Sequence, residues 1–238
     1  MSIRVSPSIV VAGIGTDVGK TVAAAVLCEI LRAEYWKPIA SGCEDGPVDH
    51  EVIEELIGPL GGRVHPPRYL FKRSLSPHIA ARLEDVTIDL AAITPPDSDC
   101  PLVVELAGGV AVPITDTVTN LDLAVQLGLP VVVVSRHYLG SINHTLLTIE
   151  ALKSRSITVA GVIFNGDELT DTERIITRMS GVASLGCIPR LSAVTSDAVR
   201  AVAERLGPSL GKELHAFQRL ARDVPSPNIR AGAQIASK

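Results

Sequence analysis

The chain has 238 residues, of which 46% are hydrophobic, 20% charged and only 3% aromatic, and its formal net charge is -4 at pH 7. That apolar content excludes an intrinsically disordered chain and requires a core of Val, Ile, Leu and Ala. Scattered Lys and Arg on a slightly acidic chain argue against a nucleic-acid partner, and no apolar run reaches the roughly 20 residues of a membrane span.

The first segment, "SIVVAG" (8–13), is apolar throughout and runs straight into a glycine loop, so it reads as a strand and not as a signal peptide. "KTVAAAVLCEILRAE" (20–34) follows as a helix, and "WKPIAS" (36–41) is a weaker strand candidate. The Gly and Pro content of "GPLGGRVHPPRY" (58–69) marks a loop. "PLVVEL" (101–106), "PVVVVS" (130–135) and "VAGVIFN" (159–165) are almost continuously apolar, as expected of strands covered on both faces of a parallel sheet. Between them, "NLDLAVQLG" (120–128) reads as a helix with a glycine C-cap, and "SINHTLLTIEALKSR" (141–155) as another. "ASLGCIP" (183–189) is a second weak strand, "SDAVRAVAERLG" (196–207) the last helix, and "PSPNIRAGAQIASK" (225–238) a flexible tail.

This alternation predicts an α/β fold with a mostly parallel central sheet, helices on both faces and right-handed crossovers. No repeat or linker divides the chain, so one domain over residues 1–224 is expected. Cys28, Cys43, Cys100 and Cys187 show no paired metal-ligand spacing, and a reduced, cytoplasmic protein is expected.

"GIGTDVGKT" (13–21) departs from the usual phosphate-loop pattern, Gly, four free positions, then Gly-Lys-Ser/Thr. Ile14 stands where the opening glycine would fall, flanked by Gly13 and Gly15. The segment nevertheless leaves a strand and opens a helix, where backbone N–H groups and the helix dipole form an anion cradle. Opening at Gly13 makes the loop one residue longer, which changes its shape and keeps its donors. Lys20 can then reach the outer phosphates, and the Thr21 hydroxyl can ligate Mg²⁺. The alternative is a chance Gly-Lys-Thr on an ordinary turn.

Glu105 closes "PLVVEL" at the carboxyl end of its strand, where ligands sit in open α/β sheets. It is either a carboxylate for a nucleotide-bound Mg²⁺ or a plain solvated acid. Lys37, in "YWKPIASG" (35–42), is either functional or a surface charge. "GSINHTLL" (140–147) opens a helix with free N–H donors, suited to a carboxylate or serving as an ordinary N-cap. His144 reads as a helical residue and not as a base.

"GIGTDVGKT", "YWKPIASG", "SPHIAAR", "VVELAGGVAVPITDT", "LGSINHTLLTIEAL", "GVIFN" and "GCIPRL" occur in the order seen in the dethiobiotin synthetase family, which the chain resembles from about residue 8 to residue 192. The family's loop carries the same extra residue. The resemblance implies a P-loop ATPase fold, Mg²⁺, and ATP-dependent ring closure of 7,8-diaminononanoate with CO₂ or bicarbonate. It also implies a homodimer with active sites at the interface.

Carried over by position, the resemblance implies Lys37 and Lys20 as catalytic. Asp17, Val18, Gly19, Lys20, Thr21, Val22, Asp49, Glu105, Asn165, Pro189, Arg190 and Leu191 would bind ATP, with Asn165 reading the adenine edge. Thr21, Asp49 and Glu105 would hold the metal, Asp45 being an alternative to Asp49. Thr16, Lys37, Ser41, Gly140, Ser141 and Asn143 would contact the diamine, the last three from the neighbouring subunit.

Leu106 departs from the family's Glu-Gly-Ala-Gly-Gly, and a leucine there forbids a cheap positive φ. The rival reading is a regulatory or partitioning ATPase of the same superfamily. Such loops tend to carry an early lysine, absent between Gly13 and Gly19. An amidotransferase of the superfamily would add a glutaminase domain, for which the chain has no room.

Overall fold

The computed structural model describes residues 8–58 and 64–222, with side chains described up to residue 210. Its centre is a seven-stranded sheet in the order β4-β2-β6-β1-β7-β8-β9, in which every pairing is parallel. The strands are β1 (Ile9–Gly13), β2 (Glu34–Trp36), β4 (Val64–His65), β6 (Leu102–Gly109), β7 (Val131–Arg136), β8 (Val159–Asn165) and β9 (Ser184–Ile188). Two further strands, β3 (Ile39–Ser41) and β5 (Tyr69–Phe71), pair with each other in a small parallel sheet.

Residues alternate between faces along a strand, and each face has its own helical cover. Ile9, Val11 and Val103 pack under α1 (Lys20–Leu31), α2 (Asp49–Ile57) and α7 (Ser196–Arg222). Val10, Ala12, Val104 and Leu106 pack under α3 (Pro77–Leu83), α4 (Asn120–Leu127), α5 (Ser141–Ser154) and α6 (Thr170–Ser180). β1, β6, β7 and β8 are therefore buried on both faces, which is why their sequences are continuously apolar.

Several boundaries differ from the sequence expectation. "WKPIAS" is not one strand, because Pro38 breaks it and the halves join different sheets. The first helix ends at Leu31, and Glu34 already belongs to β2. β6 runs on past Glu105 to Gly109, so that acid lies inside the strand and not at its end. Segment 58–69 contains β4 and the start of β5; its residues 59–63 lie outside the described residues. The last helix continues through Gly207 and Pro208, where a stop was expected. α2, α3 and α6 were not anticipated, and the expected tail at 225–238 lies outside the described residues.

Candidate active site

The carboxyl ends of β1, β6 and β7 converge on the glycine loop. Ile14 answers for the extra residue: its N–H donates to the Val134 carbonyl at 3.2 Å and its half-buried side chain joins the core. Gly13 is dictated by space, since a Cβ there would sit 2.7 Å from Val18 Cγ2 and 2.8 Å from the Gly15 carbonyl. Gly19 needs both space and freedom. Its φ is 90°, and a Cβ would lie 2.1 Å from Asn165 Nδ2.

Two neighbouring strand ends hold the loop from outside. Asn165, at the end of β8, donates to the Val18 carbonyl at 2.8 Å. Arg136, at the end of β7, donates to the carbonyl of Asp17, which itself sits at φ 56°. Lys20 folds back across the loop, its Nζ donating to the Gly15 carbonyl at 3.0 Å. The Lys20 ammonium therefore closes on the loop's own backbone.

The facing wall is a compact ionic cluster. Lys37 Nζ lies 2.5 Å from Asp49 Oδ2 and 2.9 Å from Glu105 Oε1. The Thr21 hydroxyl donates to Asp49 Oδ1 at 2.6 Å, with Glu105 Oε1 at 3.3 Å. Tyr35 donates its hydroxyl to Glu105 Oε2 at 2.9 Å, fixing a carboxylate that is only 1% exposed. Asp49 is the first residue of α2, where the helix dipole favours a negative charge. Asp45 stands apart, exposed, accepting from the Ser74 N–H at 2.5 Å and lying 3.6 Å from Arg73.

Electrostatics separates the lysines. Burial lowers the pKa of Lys20 below the usual lysine value, with Glu105 only partly offsetting it. Burial acts on Lys37 in the same direction, but Glu105 and Asp49 together outweigh it and hold the ammonium above its usual value. Asp49 is in turn held below the usual carboxylate range: burial would raise it, and the Lys37 charge and hydrogen bonds overcome that. Burial, aided by Glu105, keeps Tyr35 a neutral donor.

A cleft of about 860 Å³ opens above this cluster and exposes Thr16, Ser41, Lys37 and Glu105 to one space. The Ser41 hydroxyl is buried there without a protein partner. A second pocket of about 430 Å³ is bordered by Asn165, Pro189, Arg190 and Leu191, and Val22 lines both. The two pockets thus adjoin at Val22, one beside the ends of β8 and β9 and the other over the glycine loop. Gly140, Ser141 and Asn143 border neither pocket. They form the first turn of α5 and its preceding residue, beside the exposed Tyr138, Leu139 and Ile142.

Sequence reasoning missed Tyr35, which reads as an ordinary aromatic in a strand, and Arg136, whose role depends on a carbonyl 119 positions away. It also missed His137, which lines the second pocket and stacks on Phe164 with centroids 5.5 Å apart.

An AAA domain family matches residues 7–198. The chain is 47% identical over 193 residues to an ATP-dependent dethiobiotin synthetase (BioD) of Rhodopseudomonas palustris (strain HaA2), covering 81% of this chain and 90% of that one. It is 45% identical over 190 residues to the BioD of Agrobacterium fabrum (strain C58), covering 80% and 89% respectively. The chain belongs to the dethiobiotin synthetase family.

Among solved structures it is similar to the Pyrococcus furiosus cell division ATPase MinD, with a TM-score of 0.53 and 14% identity over 88% of this chain and 99% of that one. A putative plasmid partition protein from Borrelia burgdorferi, bound to AMPPNP, gives 0.53 and 11% over 90% and 100%. At such identities these likenesses speak for the shared fold alone. As a dethiobiotin synthetase family member, the chain carries Leu106 where the family resemblance led to a glycine. Leu106 is a strand residue, 1% exposed on the core face, and the positive φ of 71° falls on Gly108 instead. Among the described residues, no helix is long and apolar enough to cross a membrane.

Proposed function

We propose that this chain is an ATP-dependent dethiobiotin synthetase, a ligase of biotin biosynthesis that converts 7,8-diaminononanoate and CO₂ to the cyclic urea dethiobiotin, releasing ADP and phosphate. The observation that carries this reading is the position of Lys37, a buried ammonium on the same cleft as the phosphate loop and 2.9 Å from Glu105.

One amine of the substrate takes up CO₂ and loses a proton to become a carbamate. A carbamate oxygen attacks the γ-phosphorus as the bond to ADP breaks. The second amine then attacks the carbonyl carbon of the mixed anhydride, and phosphate leaves with the C–O electron pair as that amine gives up a proton. Most of this asks the protein for positioning and charge stabilisation.

Lys20 lies inside the loop and exchanges the Gly15 carbonyl for a phosphate oxygen. The backbone from Asp17 to Val22 cradles the phosphates, with Asn165 and the segment Pro189, Arg190 and Leu191 around the base. Thr21, Asp49 and Glu105 offer a hydroxyl and two carboxylates, the hard oxygen donors that Mg²⁺ prefers, and a cation, the Lys37 ammonium, already rests between the acids. Mg²⁺ held there would neutralise phosphate charge and relieve those acids of Lys37. Lys37, on the same cleft, is assigned to the carbamate and the transferring phosphoryl group, and Thr16 and the unpartnered Ser41 hydroxyl to the diamine.

The substrate carboxylate is assigned to Gly140, Ser141 and Asn143 of a second subunit. Support comes from the exposed Leu139, Ile142 and Leu147 on the same helix start, an apolar surface suited to a homodimer. Incubation with diaminononanoate, bicarbonate and Mg-ATP should yield dethiobiotin by mass, and EDTA should abolish it. ATP turnover without product would defeat the reading. A fully active monomer in sedimentation would defeat the dimer.

A further inference from the structure

Among the described residues, one group of side chains capable of holding a metal lies outside the phosphate-loop cleft. His137, Glu173 and Cys187 each bring one donor atom to within 4.8 Å of the other two. They come from three elements: the segment after β7, the helix α6 and the strand β9. In sequence they are far apart, so no short Cys or His spacing announces them. In space they stand behind the pocket bordered by Asn165 and Pro189, to which His137 contributes a wall.

The donors are held in place. The His137 ring stacks on Phe164 with an interplanar angle of 6°, and its side chain is 4% exposed. Its Nε2 lies 3.0 Å from Glu173 Oε1, an oxygen that also accepts from the Leu169 N–H at 3.4 Å. The other ring nitrogen, Nδ1, is buried with no hydrogen-bond partner. Cys187 directs its Sγ toward the Gly166 carbonyl at 3.4 Å. A buried ring nitrogen without a partner is uncommon in folded proteins and calls for an explanation. Thiol, imidazole and carboxylate together form a mixed S, N, O set, which selects Zn²⁺ or a similar borderline ion over Mg²⁺.

We propose that His137, Glu173 and Cys187 form a second metal site, separate from the Mg²⁺ site, that binds Zn²⁺ or a chemically similar ion and braces the base pocket. Three protein ligands leave a fourth position for water. The ion ties together β7, α6 and β9, whose ends frame the pocket, and binding the folded state alone raises thermal stability by mass action.

The test uses the full-length protein with Mg²⁺ in excess, so that the phosphate-loop acids are occupied. Co²⁺ titration should produce a thiolate-to-cobalt charge-transfer band, displaced by Zn²⁺. The band should vanish in Cys187→Ser and persist in a Cys43→Ser/Cys100→Ser double variant. Zn²⁺ affinity, read by competition with a chelating dye, should fall by at least about tenfold in both His137→Gln and Glu173→Gln. Those two variants keep the thiol, so they decide the matter even if Cys187→Ser does not fold. A band that survives in Cys187→Ser, or Zn²⁺ affinity unchanged in His137→Gln and Glu173→Gln, would overturn the proposal.

Discussion

The loop wall and the carboxylate wall of the cleft each bury one lysine, Lys20 at 6% and Lys37 at 7% exposure, yet the outcomes are opposite. Lys37 rests on two carboxylates and is held above its usual pKa, whereas Lys20 has a single neutral carbonyl partner and falls below it. Equal burial therefore says little about a charged group until its partners are counted. The loop wall is charged in advance of its anion, and the carboxylate wall already carries its cation. On the proposed reading, a nucleotide would complete the first and rearrange the second.

The largest expected effect is on the carboxylate wall. Lys37→Gln should lower turnover by about a thousandfold, the scale of losing one preorganised stabilising donor. Nucleotide affinity should change by less than about tenfold, because in the proposed mechanism Lys37 meets the reacting group and not the bound nucleotide. The same variant leaves Asp49 and the buried Glu105 side by side without their shared cation, and its metal-free stability should drop by about 3–5 kcal/mol. Millimolar Mg²⁺ should restore most of that loss in a thermal melt. Collapse of nucleotide affinity with turnover of the bound complex intact would break the contrast between the walls.

β6 connects the cleft with the core, and a second substitution separates the two duties. Glu105 faces the ionic cluster, while its neighbour Leu106 faces the opposite core. Leu106→Gly should cost about 3 kcal/mol or more by chemical denaturation, through lost packing and a looser strand. Activity per folded molecule should remain, since the turn that needs a glycine is at Gly108. A gain in activity on restoring glycine would show that Leu106 reaches the site.

On the loop wall, Lys20→Met should weaken ATP binding by roughly 10- to 100-fold, the worth of a hydrogen bond to a charged group. Stability without nucleotide should change by no more than about 1 kcal/mol, because a chain of similar volume replaces a charge that burial disfavours. Calorimetry and a melt of the same variant measure both. A large stability loss would mean that Lys20, like Lys37, is structurally paired.

What could be read in advance follows from which forces are local. β1, β7 and β8 were legible because burial on both faces writes itself into consecutive residues. "GIGTDVGKT" was legible because its glycines answer to backbone geometry within nine positions. α2 was missed although it delivers Asp49: its N-terminus is preceded by Val48, and Glu51 accepting from the Val48 N–H replaces the usual polar cap. β3 and β5 have three residues each, too few for any period to appear. That Asp49 and not Asp45 joins the ionic cluster was not local at all. It depends on Lys37 and Thr21 arriving from other elements, which only the fold brings together.

The smallest effect is the one that separates the walls most cleanly, because it changes sign between two measurements. Lys20 has a lowered pKa in the free protein, so between that value and the usual lysine value of 10.5 the unfolded chain binds more protons than the folded one. Stability without nucleotide should therefore gain slightly as pH rises through that window. ATP affinity should fall over the same window, since a triphosphate favours the charged ammonium and binding must then take up a proton. Lys37 behaves oppositely: its contribution is complete below 10.5 and is lost only as pH climbs through its raised folded value. At the acid end, the contribution of Asp49 is complete above 3.8 and disappears as pH falls through its lowered value. Alkaline titration should thus weaken nucleotide binding before it weakens the fold. If melts and ATP affinity decline together, with one midpoint, the two lysines are not independent and the separation of the walls fails.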